Sequence, residues 1–143
     1  MQLLIPCAVG SPDGHWILCK VDLSQWSIVI YDSLSYKIPA ESTYRENQVM
    51  PLRYLLPSVL AKSGYFEEKH MERKWDCFSI QIMNHKSIPT QKDDSSCGGF
   101  VCKYVDCIIR KGVSWNWRLS DIHKMRREYA FAIFCNAVEA NDM

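Results

Sequence analysis

Long apolar runs are missing from this 143-residue chain. None approaches the ~18–20 residues that a helix needs to cross a bilayer, so no segment reads as a membrane-spanning helix. An excess of one charge is missing too. Seventeen Lys and Arg face sixteen Asp and Glu, for a net charge of +1. No basic run exceeds two residues (Arg73-Lys74, Arg110-Lys111 and Arg126-Arg127). Binding to nucleic acid or an anionic membrane surface would call for a concentrated patch, so neither partner is expected. The opening MQLLIPCAVG lacks the basic start and the length of a secretory signal. Paired C-x-x-C spacings are absent as well: the seven cysteines, an odd number, are scattered. Cys97, Cys102 and Cys107 recur every five residues, which on a helix turns each by roughly 140° from the last. They cannot share one metal ion, and no metal or other cofactor is expected. The cysteines read as a reduced set in an intracellular protein of the nucleus or cytoplasm, most of them small buried hydrophobes.

What is present is one domain's worth of periodic segments, residues 1–143, without repeats or low-complexity tracts. QLLIPCAV (2–9) reads as a strand stopped by the turn signal GSPDG. HWILCKV (15–21) and WSIVIYD (26–32) are β-rich runs parted by DLSQ, which predicts a hairpin. A helix is expected from about 51 to 62, with Pro57 as a kink or internal boundary and Gly64 as its stop. DCFSIQIM (76–83) reads as a further strand. From Cys97, the residues Phe100, Val101, Tyr104, Val105, Ile108 and Ile109 fall at helical spacing. A last helix should begin near Ser120 and bury Ile122, Met125, Tyr129, Ala132, Ile133 and Ala137. This order predicts an α+β fold, a small and mainly antiparallel sheet packed with helices.

Within the hairpin, a loop centred between Leu23 and Ser24 pairs residues whose numbers sum to 47, as those of His15 and Asp32 do. They would face each other with Cβ atoms ~4.5–5.5 Å apart. A carboxylate beside an imidazole fixes its tautomer and stabilises the imidazolium, as a nucleophile–base–orienter triad requires. The plain alternative is a polar pair at a sheet end. The nucleophile candidate is Cys97, which opens a helix after Ser95-Ser96, either of which could cap it. A thiol there faces unsatisfied N–H groups and the positive end of the helix dipole, which favours the thiolate. Gly98 and Gly99 are poor helix formers, and room for a substrate backbone near the sulfur is one physical reason for them. Gln91, six residues before Cys97, could donate its amide to a developing oxyanion alongside the Cys97 N–H. Otherwise it is a solvated loop residue. Pro89 helps to set that loop's path.

The order His15, Asp32, Gln91, Cys97 joins these signals. HWILCKVDLSQWSIVIYDSL and IPTQKDDSSCGGFVCKY resemble the His-Trp strand, the Tyr-Asp-Ser-Leu strand and the Pro-x-Gln loop of the ubiquitin-like-modifier proteases, the SUMO-deconjugating cysteine peptidases. DIHKMRREYAFAIF is similar to that family's closing helix, so the resemblance runs from about residue 3 to 135. It implies a papain-like architecture of the ubiquitin-like protease type. It further implies Cys97 as nucleophile, His15 as general base, Asp32 as orienter, Gln91 as oxyanion donor and Trp16 beside the Gly-Gly tail of a SUMO-like modifier. Trp16 could equally be a core or edge-strand aromatic, and Gly98 is the second expected substrate contact. Two departures stand out. The family usually carries Asp just before the nucleophile, where this chain has Ser96, with acids displaced to Asp93 and Asp94. The family's domain also has a further N-terminal segment, including a Trp-Leu-Asn-Asp-like helix, so this chain is expected to be the C-terminal part of such a domain. Cleavage after a modifier's Gly-Gly is the leading expectation. A modifier-binding remnant and a thiol acyltransferase on the same scaffold remain open.

Overall fold

The computed structural model describes residues 1–141 apart from 11–13, 40 and 73, with side chains through residue 135. Three strands follow in sequence: β1 (Gln2–Val9), β2 (His15–Asp22) and β3 (Ser27–Tyr31). Helices α1 (Tyr44–Gln48), α2 (Met50–Lys62) and α3 (Tyr65–Glu68) precede β4 (Ser79–Ile82), and α4 (Cys97–Ile109) and α5 (Leu119–Asn141) close the chain. The sheet order is β1-β2-β3-β4. The first three strands pair antiparallel, and β4 joins β3 in parallel. This is an α+β fold, a small and mainly antiparallel sheet packed with helices.

The sheet is covered on both faces, which explains why HWILCKV reads as an almost unbroken apolar run. Ile17, Cys19, Val21, Ile28 and Ile30 pack with Leu56, Leu60 and Phe66 of α2 and α3. Leu18 and Tyr31, on the other face, pack with Phe100, Val101 and Tyr104 of α4 and with Ile122 and Met125 of α5. Successive strand residues point to opposite faces, so one strand feeds both cores. Helix α2 runs on through a buried Pro57. Gly64, at φ 77°, turns the chain from α2 into α3.

Three expectations need correction. The hairpin register is shifted: Leu18 pairs with Tyr31, Cys19 with Ile30 and Asp22 with Ser27, so partner numbers sum to 49. Trp26 is the reason. It leaves the ladder at φ 54°, stacks on Phe78 with ring centroids 4.1 Å apart, and donates from Nε1 to the Asp76 carbonyl at 2.7 Å. Asp22 Oδ1 closes the displaced turn by accepting from the Ser24 and Gln25 N–H groups, both at 3.0 Å. A shift of two residues preserves the face of every side chain.

The second correction concerns the start and stripe of α5. It begins at Leu119, with Asp121 Oδ2 accepting from the Arg118 N–H at 2.7 Å, so Ser120 lies inside the helix rather than capping it. Ile122 and Met125 are buried, but Ala132 is exposed, and Tyr129 and Ile133 are 45% and 70% exposed. The 23-residue α5 outruns the 13-residue α4 on which its first turns pack. The side chain of Ala137 lies outside the described residues, as do residues 11–13 of the expected GSPDG turn.

The third is Ser96. It stands at the N-cap position of α4 yet makes no side-chain cap bond. Its Oγ donates instead to Asp93 Oδ2 at 2.5 Å.

Candidate active site

His15 is the first residue of β2 and pairs with Val9 at the end of β1. It shares its face with Ile17 and Cys19, and Asp32, one residue past β3, shares the face of Ile28 and Ile30. The two therefore meet at the end of the sheet. His15 Nε2 lies 2.7 Å from Asp32 Oδ1. The bond to the carboxylate puts the proton on Nε2 and leaves Nδ1 as the ring nitrogen free to exchange a proton.

Asp32 is fully buried and has three donors. Besides His15, its Oδ1 accepts from the Leu34 N–H at 2.8 Å, and its Oδ2 accepts from Arg45 Nε at 2.8 Å. Burial alone would push the Asp32 carboxyl up; the His15 hydrogen bond, the Arg45 charge and the Leu34 N–H outweigh it and hold the group below the ordinary carboxylate range. The site thus contains a fixed carboxylate at neutral pH.

The loop before α4 is tied to this acid turn. Gln91, 1% exposed, accepts from Ser33 Oγ through Oε1 at 2.6 Å, and its backbone N–H donates to the Ser33 carbonyl at 3.0 Å. Its Nε2 gives one hydrogen to the Asp93 carbonyl at 2.7 Å, which leaves a second for a ligand. Tyr104, from α4, donates to the Pro89 carbonyl at 2.5 Å. Burial, reinforced by the nearby Asp32 charge, raises the Tyr104 hydroxyl well above its ordinary range, so it stays a neutral donor. Cys97 follows as the first residue of α4, partly exposed, with its thiol free.

His15, Gln91 and Cys97 line one cavity of about 490 Å³, with Asp32 behind His15. Arg45, Tyr44 and Asp94 line it as well. Four of the six site residues expected from the sequence are thus gathered. Trp16 lies outside the cavity lining, 45% exposed on the strand beside His15. Gly98 is also outside it, and a Cβ there would meet nothing within 4 Å. Gly99 has a different reason to be glycine: a Cβ would sit 2.5 Å from Ile122 Cγ2, so this glycine lets α4 and α5 approach. Sequence reasoning missed Arg45 and the role of Ser33. Nothing in STYRENQ sets that arginine apart, whereas Ser33 follows Asp32 directly within YDSL. Among the described residues no group of three or more His, Cys, Asp or Glu is placed to hold a metal ion.

An α+β domain whose cleft gathers a cysteine, an aspartate-held histidine and a buried glutamine has the groups that thiol chemistry uses. A family model described as "Ulp1 protease family, C-terminal catalytic domain" matches residues 3–139, and the chain belongs to that family. It is similar to a sentrin-specific protease of Caenorhabditis elegans, at 26% identity over 112 residues, 76% of this chain and 13% of that protein. Two solved structures of the SUMO protease Ulp1 share the fold. The form with its catalytic cysteine oxidised to a sulfonic acid has a TM-score of 0.56 at 22% identity, covering 95% of this chain and 54% of that one. The sulfenic acid form has a TM-score of 0.53 at 23% identity, covering 95% and 53%. The chain therefore spans about half the length of these structures and a smaller part of the worm protein.

Proposed function

We propose that this chain is the catalytic portion of a cysteine peptidase or isopeptidase that cleaves after the C-terminal Gly-Gly of a SUMO-like or other ubiquitin-like modifier. The observation that carries the reading is the 2.7 Å bond from His15 Nε2 to Asp32 Oδ1, at a cavity that His15 shares with Cys97 and Gln91. In this mechanism the Cys97 thiol gives its proton to His15 Nδ1, and the sulfur attacks the carbonyl carbon of the terminal glycine. The second Gln91 Nε2 hydrogen and the Cys97 N–H stabilise the oxyanion. The C–N bond then breaks as the imidazolium protonates the leaving amine. Water, deprotonated by His15, hydrolyses the thioester and restores the thiol. Asp32 stays ionised throughout and holds the ring. The open space at Gly98 and the exposed Trp16 ring supply surfaces for a tail of small residues.

The test is a panel of ubiquitin-like modifiers ending in a thiol-reactive electrophile, incubated with the wild type and with Cys97→Ala and His15→Ala variants. A covalent adduct on the wild type, absent from Cys97→Ala and slowed in His15→Ala, is the expected result. Modifier binding without an adduct would overturn the enzyme reading in favour of a binding module. Equal labelling at the exposed Cys102 would show that Cys97 has no special reactivity.

A further inference from the structure

We infer that Arg45 is a positioning residue of the Cys97–His15–Asp32 site: its guanidinium holds the Asp32 carboxylate so that one oxygen faces His15, and its charge restrains how strongly that carboxylate draws a proton onto the ring. The inference rests on the functional reading above for its consequence in turnover, but its structural part stands without it. Arg45 is 5% exposed and enters the site from α1, a helix of five residues. Its Nε donates to Asp32 Oδ2 at 2.8 Å, while the other oxygen of the same carboxylate is 2.8 Å from the Leu34 N–H and 2.7 Å from His15. The guanidinium is itself held. Its Nη1 donates to Gln48 Oε1 on the same helix, and its Cζ lies 5.6 Å from the centre of the Tyr44 ring.

Two effects follow from this geometry. Oδ2 has no other donor among the described residues, so without Arg45 it would be a buried carboxylate oxygen lacking a partner, and the carboxylate plane could turn away from His15. The second effect is electrostatic. Arg45 lines the same cavity as His15 and Cys97, and its positive charge acts directly on the Asp32 carboxylate that His15 faces. An opposing charge is the Asp93 carboxylate, which accepts from Ser96 Oγ at 2.5 Å beside Cys97. Tyr104, facing Asp32 from α4, is neutral. Asp94 lies on the cavity lining with a 98% exposed side chain, 3.8 Å from Lys37. Tyr44 and the Cys97 thiol complete the titratable groups on that lining.

Removing the charge but keeping a polar side chain, Arg45→Gln, should therefore move the whole pH profile of kcat/KM upward. Both limbs move the same way, because the imidazolium loses a repulsion and the thiolate loses an attraction. Arg45→Lys keeps the charge but not the planar fork, so its limbs should stay within a few tenths of a unit. Its kcat should fall about tenfold with KM unchanged. A merely structural arginine would lower the height of the profile and leave its limbs in place.

A second measurement needs no turnover. In a Cys97→Ala background, the His15 imidazole is titrated by nitrogen-resolved NMR with Arg, Gln or Lys at position 45. The midpoint in the Gln variant should lie above that of the Arg protein, and that of the Lys variant close to the Arg protein. An unmoved midpoint in the Gln variant overturns the electrostatic role, and full turnover in Arg45→Lys overturns the positioning role. If Arg45→Gln fails to fold, the Lys variant still decides the second point, and Gln48→Ala, which frees Nη1 while keeping the charge, should lower kcat with unmoved limbs. Loss of limb invariance in Gln48→Ala counts against the assignment. Absence of any modifier adduct on the wild type would refute the functional reading, and leaves the NMR result to judge Arg45 separately.

Discussion

Adjacent glycines at the start of α4 offer a sharp test, because a methyl group added at each should have opposite effects. In Gly99→Ala the new Cβ would lie 2.5 Å from Ile122 Cγ2. Carbon atoms in contact sit about 3.5–4.0 Å apart, so the two helices must separate by roughly 1 Å or Ile122 must leave its rotamer. Ile122 is fully buried, so it has little room to yield. Overpacking of this kind costs about 1–3 kcal/mol, against which alanine regains about 1 kcal/mol of helix propensity. The net expectation is a loss of up to roughly 2 kcal/mol in urea unfolding. Reaction with a modifier electrophile should slow as well, since Cys97 lies two residues away on the displaced helix. Combining Gly99→Ala with Ile122→Ala should cost less than the sum of the two, with a coupling of about 1 kcal/mol or more. Gly98→Ala meets nothing within 4 Å and should gain about 0.5–1 kcal/mol of stability. If its open space accommodates the modifier tail, the adduct should nevertheless form more slowly. A Gly99→Ala protein as stable and as reactive as the wild type would refute the packing argument.

Two further outcomes follow from the buried polar groups. Because the folded Asp32 carboxyl titrates below its unfolded value of about 3.9, the unfolded chain binds more protons in that interval. Its contribution is complete above that pH and is lost as pH falls through the lower folded value. Acid unfolding followed by circular dichroism should thus be less steep below pH ~3.9 in Asp32→Asn than in the wild type. Ser33→Ala leaves Gln91 Oε1 buried without its 2.6 Å donor, at a cost of about 1–3 kcal/mol in thermal or urea unfolding. It also frees the amide to turn, so kcat for a modifier substrate should drop several-fold with little change in KM.

The strands, the three long helices and the loop before Cys97 were legible because each is written in a local pattern: alternation, helical spacing, turn residues, or a thiol before a helical repeat. The hairpin register was not. Trp26 has high strand propensity, but stacking on Phe78, 52 positions away, draws it into the turn, and no local rule anticipates that partner. The shift spared the inferred His15–Asp32 pair only because it was an even number of residues. The distal apolar residues of α5 match a buried stripe in spacing, yet a helix buries only what a neighbour covers, and α4 is ten residues shorter (13 against 23). Arg45 was illegible for a related reason. It is thirteen positions from Asp32 and on a separate element, and only the path of the chain through α1 brings the two together.

The two covered faces of the sheet also bear on how the protein folds. His15 and Asp32 sit at the end of the face covered by α2 and α3, while Cys97 rides on α4, which covers the other. A folding species with only one face covered would hold His15 and Asp32 without Cys97, or the reverse. On the proposed function, reactivity toward a modifier electrophile would count only molecules in which both halves have docked. In a refolding time course, helix signal and tryptophan fluorescence would report each half as it forms, and the adduct would act as a clock for the final assembly.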